Sequence, residues 1–355
     1  MVIGVDGNEA NVDEKVGVSL YTLNLLRYFE SHATRDVQFV IYLRTPPTVD
    51  LPGENQFYKY RIVKGKFLWS QIFLPYELFI KRQINGFFAP AHYAPRFCPV
   101  PCVVTVHDLS YLLYPNEFKK TDLYQLTHWT KYSVRRAKHI IAVSKTTKKD
   151  IIKNYQISDQ SVSIIYNGFE KQSNKNQETK ILNKNHLKSG QYILFVGTVQ
   201  PRKNLQLLIA AFDKYFESYK DYKLVIAGRD GWLSKPIYEK VHELGIEQSV
   251  IFTCYVSDDE RTDLYKNALA FVMPSLYEGF GIPVLEAMSN KCPVIASQNS
   301  SLPEVGGDAC LYFDPLNLQD LLEALIAITE KSELRKELIS KGEKQISKFS
   351  WEKTA

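Results

Sequence analysis

The sequence is poor in cysteine, in net charge and in long apolar runs, and each shortage removes a class of protein. Five cysteines in 355 residues, Cys98, Cys102, Cys254, Cys292 and Cys310, are too few and the wrong number for a disulfide scaffold. Cys98 and Cys102 flank Pro-Val-Pro with no second pair or histidine set at zinc spacing, and no other cluster of metal ligands appears. All five read as reduced, mostly buried thiols of a cytoplasmic protein. No apolar run approaches the ~20 residues that span a bilayer, so membrane contact is expected to be peripheral, at the inner face. The opening residues from Met1 to Gly7 read as a strand and turn rather than a leader peptide. The net charge is only +5, from 44 basic and 39 acidic residues. That fits an anionic substrate or an acidic membrane surface. Without a base-reading module or an arginine-rich tract, it argues against nucleic acid as a partner.

What the sequence does have is a balance of 45% hydrophobic and 23% charged residues, the mark of a folded protein. Its length exceeds one ordinary core and suits two domains. Short apolar runs alternate with amphipathic stretches throughout, the pattern of βαβ units and a mainly parallel sheet. In the first half, strands are predicted at 2–6, 37–43, 57–63, 86–90, 103–107, 139–144 and 162–166. Helices are predicted between them at 18–29, 69–81, 123–137 and 145–154. In the second half, near-continuous apolar runs at 192–197, 223–228, 250–255, 270–274, 293–297 and 310–313 read as buried parallel strands. The stretch 170–190 is rich in Lys, Asn and Gln and reads as a linker or surface excursion. The reading is therefore an α/β protein of two Rossmann-like, doubly wound domains, 1–180 and 181–355, facing across a cleft lined by the carboxyl ends of both sheets.

The densest chemical cluster is Pro274-Ser-Leu-Tyr-Glu278-Gly-Phe-Gly281-Ile-Pro283-Val-Leu-Glu286-Ala-Met. It follows an apolar strand and opens a helix whose first turn suits Pro283. Gly279 and Gly281 allow close backbone approach, and the helix start supplies free N–H groups and positive dipole to an anion. Glu278 and Glu286 would stand roughly 12 Å apart if the whole stretch were helical. That span suits one carboxylate on a sugar and one on a ribose, with a diphosphate between. It is too wide for the two carboxyls of a glycosidase, about 5–9.5 Å apart. Solvated glutamates around an ordinary strand–turn–helix are the plainer alternative. The second cluster is Phe195-Val-Gly197-Thr-Val-Gln-Pro201-Arg202-Lys203-Asn204, again between a strand and a helix. Arg202 and Lys203 oppose the dipole there, which favours a phosphate-neutralising role over that of exposed turn residues.

Together the two clusters resemble family 4 of the retaining glycosyltransferases, of the GT-B fold, and most closely its bacterial mannosyltransferase-like branch. Further stretches occur in the family's order: Val16-Gly17-Val18-Ser19-Leu-Tyr21, Val106-His107-Asp108, Ala142-Val-Ser144-Lys145 and Tyr166-Asn167-Gly168. Gly228-Arg-Asp-Gly231-Trp232, Tyr255-Val-Ser257 and Leu302-Pro303-Glu304 follow in the second half. The resemblance implies that Arg202 and Lys203 hold the donor diphosphate, with Gly17, Thr198 and the Gly279-Phe280-Gly281 turn near it. It places Glu286 on the ribose, Glu278 on the hydroxyls of the transferred sugar and Tyr255 beside the base. His107 would lie near the sugar's C6 hydroxyl and the reaction centre, with Ser19 and Asp108 toward the acceptor.

The sequence also departs from the family pattern. The first loop has a single glycine, Asn290-Lys291 replaces a small residue and glycine, and Thr198 stands where some relatives have arginine. Relatives continue past the last residues into a helix that crosses back onto the N-terminal domain, so a shortened form is expected here. Plainer readings accompany several residues. His107 could be a structural hydrogen-bonder, and Asp108 could fix its tautomer or cap the next turn. Trp69, Trp129 and Trp232 read as core or cleft wall. Lys119-Lys120, Arg135-Arg136 and Lys148-Lys149 read as solvated faces or contacts for an acidic membrane.

The expected reaction is transfer of a hexose, mannose from GDP-mannose, to a saccharide or lipid-linked saccharide with retention. Charge growing on the leaving β-phosphate would be stabilised electrostatically, with no metal and no cofactor beyond the nucleotide sugar. The alternatives are a UDP-hexose, UDP-GlcNAc or deoxysugar-nucleotide donor, a non-catalytic sugar-nucleotide-binding subunit, or an epimerase of related architecture.

Overall fold

The structure is a computed structural model that describes residues 1–15, 17–170 and 180–355. The chain divides into two compact units. The first contains residues 1–113, 120–168 and 349–355, and the second residues 114–119 and 169–348.

In the first unit seven strands form one sheet: β1 (Val2–Asp6), β2 (Gln38–Leu43), β3 (Tyr58–Ile62), β4 (Gly86–Ala89), β5 (Cys102–Val106), β6 (His139–Ala142) and β7 (Val162–Ile164). Their order is β3-β2-β1-β4-β5-β6-β7, parallel throughout. The order reverses between β1 and β4, the switch point at which doubly wound sheets leave room for a ligand. The helix Val18–Ser31 follows β1 and buries Tyr21, Leu25 and Leu26 against the sheet side of the unit. Ser144 caps the helix Lys145–Tyr155, accepting from the Thr147 N–H at 3.0 Å.

The predicted helix over 69–81 begins only at Phe73. Leu68 takes a left-handed φ of 54°, and the buried Trp69 is pinned by its indole N–H to the Val63 carbonyl at 2.6 Å. The chain therefore turns there rather than winding.

In the second unit the sheet contains β8 (Tyr192–Val196), β9 (Lys223–Ala227), β10 (Val250–Cys254), β11 (Ala270–Met273), β12 (Val294–Ser297) and β13 (Cys310–Phe313). The order is β10-β9-β8-β11-β12-β13, again parallel, with its switch point between β8 and β11. All five residues of β8 and all four of β11 and β12 are buried. Helices cover both faces, and near-continuous apolar strands are the result. The helix Leu205–Ser218 buries Leu205, Leu208, Ile209, Phe212 and Tyr215, one stripe at helical spacing.

The linker expected at 170–190 is only partly one. Residues 171–179 lie outside the described residues. Beyond them Ile181 and Leu187 are buried, and Ile181–Lys184 forms a helical turn against the helix Asp258–Asn267. Two apolar side chains were enough to bring this polar stretch into the body of the unit.

The last residues, expected to lie with the C-terminal half, belong to the first unit. Within it the short helix Trp351–Thr354 packs on Val18–Ser31, the Thr354 hydroxyl donates to the Tyr166 carbonyl at 2.8 Å, and the Trp351 ring lies 6.1 Å from that of Tyr21. Gly168 is required by this arrangement, because a Cβ there would meet the Trp351 backbone nitrogen at 2.6 Å. No helix among the described residues is long and apolar enough to cross a membrane.

Candidate active site

In the second unit β8 and β11 are neighbours, with Phe271 paired to Leu194. The loops that leave their carboxyl ends therefore emerge side by side, although 75 residues separate Lys203 from Glu278. The Leu276 N–H donates to the Arg202 carbonyl at 2.9 Å and ties the loops together. After β8 the chain makes a short 3-10 turn, Pro201–Lys203, and Asn204 enters the next helix with a left-handed φ of 56°. That geometry turns the Lys203 side chain inward, where Nζ donates to Glu278 Oε1 at 2.6 Å. The Arg202 guanidinium stands 3.5 Å from Glu278 Oε2 and donates to the Tyr277 carbonyl.

All three side chains are nearly buried, with 10–13% of each exposed. Burial alone would raise the Glu278 carboxyl, but Lys203 and then Arg202 outweigh it and hold it below the ordinary value. Glu278 is therefore an anion held between two cations, and the Glu117 carboxylate also lies within electrostatic reach of Arg202.

The Glu278 loop is held from a third strand. Its N–H donates to Ser300 Oγ at 3.0 Å, while Ser301 Oγ lies 2.8 Å from the carbonyls of both Glu278 and Phe280, sharing one proton between them. Gly281, at φ 105°, then turns the chain into the helix Ile282–Ser289, whose N-terminus carries no side-chain cap and has Pro283 in its first turn. Because the helix begins only at Ile282, the all-helical spacing expected between Glu278 and Glu286 does not apply.

Glu286 is held apart from this cluster. Tyr265 donates its hydroxyl to Oε2 at 3.1 Å, and the Arg261 Nε lies 3.5 Å from the same oxygen. Burial raises its pKa, and Arg261 only partly offsets this. At the carboxyl ends of the adjacent β9 and β10, the Arg229 guanidinium lies 4.3 Å over the ring of Tyr255, which is more than half exposed. Thr198 is exposed just beyond β8.

The other expected residues lie in the first unit. Gly17, at φ 45°, caps the helix that carries the buried Ser19, while Val16 lies outside the described residues. His107 directly follows β5, buried, and its Nε2 donates to the Pro90 carbonyl at 2.7 Å. The edge of the Tyr21 ring and the ring of His92 pack on it at 4.8 and 5.3 Å. Burial, reinforced by His92, lowers its pKa to about 3, so the imidazole is neutral and Nε2 carries its proton. The Pro90 carbonyl fixes the tautomer. Asp108 caps the following turn instead, accepting from the N–H and hydroxyl of Ser110 at 2.9 and 2.6 Å.

Sequence reading missed Ser300, Ser301, Arg261, Tyr265 and His92, and noted Arg229 only as part of the stretch 228–232, without a role. The polar run Asn299-Ser300-Ser301 after a buried strand was a usable signal. Arg261 and Tyr265 gave none, since they look like the polar and apolar faces of any helix.

Two all-parallel sheets of Rossmann order, with a cation pair and a helix start at the second switch point, define a GT-B type glycosyltransferase. HepE of Anabaena, solved with UDP and glucose, superposes with a TM-score of 0.75 at 16% identity, over 99% of this chain and 96% of that one. Sucrose-phosphate synthase of Thermosynechococcus elongatus gives 0.75 at 17% identity, over 99% and 95%. Residues 16–172 match Glycosyltransferase Family 4, and residues 176–345 match Glycosyl transferases group 1. The O-antigen chain mannosyltransferase B of Escherichia coli is 32% identical over 255 residues, which is 70% of this chain and 67% of that protein. The O-antigen chain mannosyltransferase RfbU of Salmonella typhimurium is 33% identical over 212 residues, 60% of this chain and 56% of its own. The chain belongs to this family of glycosyltransferases, and its match spans 67% and 56% of the length of these two curated relatives.

Proposed function

We propose that the protein transfers mannose from GDP-mannose to a saccharide or lipid-linked saccharide in surface-polysaccharide synthesis, with retention of configuration and without a metal. The observation that carries this reading is the buried Lys203–Glu278–Arg202 cluster beside an uncapped helix start. The names of the two mannosyltransferase relatives support the choice of sugar.

In this reading Lys203, Arg202 and the 279–281 turn receive the diphosphate. As the bond from the sugar C1 to the β-phosphate oxygen breaks, its electron pair moves onto that oxygen, and the two cations stabilise the growing charge. The acceptor oxygen bonds to C1 on the face the phosphate leaves, and its proton passes to the departing phosphate. Glu278 receives sugar hydroxyls while positioning Lys203, Glu286 takes the ribose, and Tyr255 with Arg229 flanks the base. His107 keeps only Nδ1 available, so it accepts a hydrogen bond from a hydroxyl and does not act as an acid. Gly17 and Thr198 are assigned to the donor phosphates, and Ser19 and Asp108 to the acceptor side.

A second reading, a UDP-sugar donor, is favoured by the UDP-bound structural neighbour. Thermal shifts and turnover with GDP-mannose, UDP-glucose and UDP-GlcNAc separate the two, and product NMR reads the anomeric configuration. With the matched donor, Lys203→Ala should lower kcat by a factor on the order of 10²–10³ and raise the donor KM less. An unchanged kcat in a folded variant removes the mechanism.

A further inference from the structure

Among the described residues, seven of the fifteen large apolar side chains exposed in the first unit lie between residues 67 and 80. The helix Phe73–Lys81 buries Leu74, Pro75 and Leu78, yet its outer face is also apolar. Phe73, Tyr76, Phe79 and Ile80 are all exposed, Tyr76 at 68% and Ile80 at 59%. At 3.6 residues per turn these four fall within an arc of roughly 120°. The segment leading into the helix extends the patch with Phe67, 86% exposed, Leu68 and Ile72. The loop bearing the exposed Phe97 is joined to it through the Arg96 N–H, which donates to the Ser70 carbonyl at 3.2 Å. A scatter of single exposed apolar residues is ordinary, but a continuous aromatic and aliphatic face is not.

The charge around this face has one sign. Between residues 64 and 97 the basic residues are Lys64, Lys66, Lys81, Arg82 and Arg96, and the single acidic residue is Glu77. Glu77 is neutralised where it stands, by Arg61 at 2.8 Å and Lys81 at 3.2 Å. Lys64, Lys66, Arg82 and Arg96 are exposed.

We propose that this face, centred on the helix Phe73–Lys81 and the segment before it, docks on an anionic lipid bilayer. The apolar side chains enter the boundary between headgroups and acyl chains while the lysines and arginines meet the lipid phosphates. A helix with one apolar face, no spanning length and a cationic rim lies in the plane of such an interface. The charge complementarity selects an anionic membrane over an uncharged one, and over a second copy of this chain, whose matching face would carry the same positive rim. The basic pairs Lys119-Lys120, Arg135-Arg136 and Lys148-Lys149 have no comparable apolar surface beside them in sequence, so they are not the anchor. This inference stands independently of which nucleotide sugar the protein uses.

The test is co-sedimentation of the purified chain with vesicles of phosphatidylcholine alone, and with about 30% phosphatidylglycerol added to supply the negative surface. Binding is expected only with phosphatidylglycerol, weakening as salt is raised. Tyr76→Ser with Ile80→Ser, and separately Lys66→Glu with Arg82→Glu, should each weaken partitioning at least about tenfold, as expected when buried apolar area or surface charge is lost. Circular dichroism and donor hydrolysis in solution should stay as in the wild type, which separates this idea from the donor reading. If one variant misfolds, the other decides. Three results overturn the proposal: wild-type protein that ignores phosphatidylglycerol vesicles, folded variants of both kinds that bind as the wild type does, or a wild-type dimer in solution that Tyr76→Ser with Ile80→Ser disperses.

Discussion

Replacing Glu278 by Gln should destabilise the free protein and at the same time increase its stabilisation by a nucleoside diphosphate. Glu278 is 8% exposed and is the one carboxylate facing both Lys203 at 2.6 Å and Arg202 at 3.5 Å. The amide keeps the shape and removes the one charge that faces both nearly buried cations, leaving Arg202 with the more distant Glu117. Breaking a buried pair from one side typically costs about 3–5 kcal/mol. The remaining exposure of all three side chains places this case at the lower end, near 3 kcal/mol. For a unit of this size that corresponds to a melting-temperature loss of roughly 6–12 °C, at about 2–4 °C per kcal/mol. A diphosphate restores negative charge to the same cations, so the shift at saturating GDP or UDP should exceed the wild-type shift by several degrees, by mass action on the folded state. Turnover should fall all the same, because in the proposed reading the sugar's hydroxyls exchange a carboxylate acceptor for a weaker, neutral amide oxygen. Differential scanning fluorimetry with and without the diphosphate, beside a transfer assay, reads all three quantities. The double variant Lys203→Met with Glu278→Gln should be less destabilised than the sum of its single variants. A Glu278→Gln protein that melts within 2 °C of the wild type, or gains no extra shift from diphosphate, refutes the reasoning.

Glu286→Ala should weaken nucleotide binding by about 10–100-fold, the value of one or two charge-assisted hydrogen bonds, as read by calorimetry. The fold should tolerate it, because Arg261 keeps Asp258 at 3.0 Å. The pKa of His107 is lowered to about 3 from an ordinary 6.5, so its contribution to stability is complete above pH 6.5 and drains away as the pH falls toward 3. About 2 kcal/mol of stability should be missing at pH 5, and His107→Asn should flatten that slope in melting curves recorded between pH 7 and 5. Loss below pH 4.5 should persist in that variant, because Glu278, with its lowered pKa, stabilises the fold only while ionised. Gly168→Ala should cost about 1–3 kcal/mol by overpacking against Trp351, and removing residues 349–355 from the same variant should abolish that extra penalty in thermal melts.

By itself the sequence determined the thirteen strands found among the described residues and the two loops that carry Arg202, Lys203 and Glu278. The apolar runs of β8, β11 and β12 are legible because strands buried on both faces have no polar side to show. Gly281 and Pro283 mark a helix start because few other residues fit a positive φ and a first helical turn. Such signals are local, and local sterics and hydrophobicity write them directly into neighbouring residues.

Only the tertiary structure decided what those residues experience. Strand order placed the loop after β8 beside the loop after β11, and so Lys203 on Glu278, a pairing that no spacing along the chain implies. Packing made the two glutamates of one motif unlike: two cations hold Glu278 ionised, while burial raises Glu286 faster than Arg261 can offset it. Packing also turned the polar stretch after residue 180 inward on two side chains, and returned the last residues to the first unit, against Gly168. The helix Phe73–Lys81 gives the plainest case, since its apolar residues surround the axis and read in sequence as core. Which of its faces meets protein and which meets solvent depends on neighbours far away in the chain, and hydrophobicity alone carries no record of them.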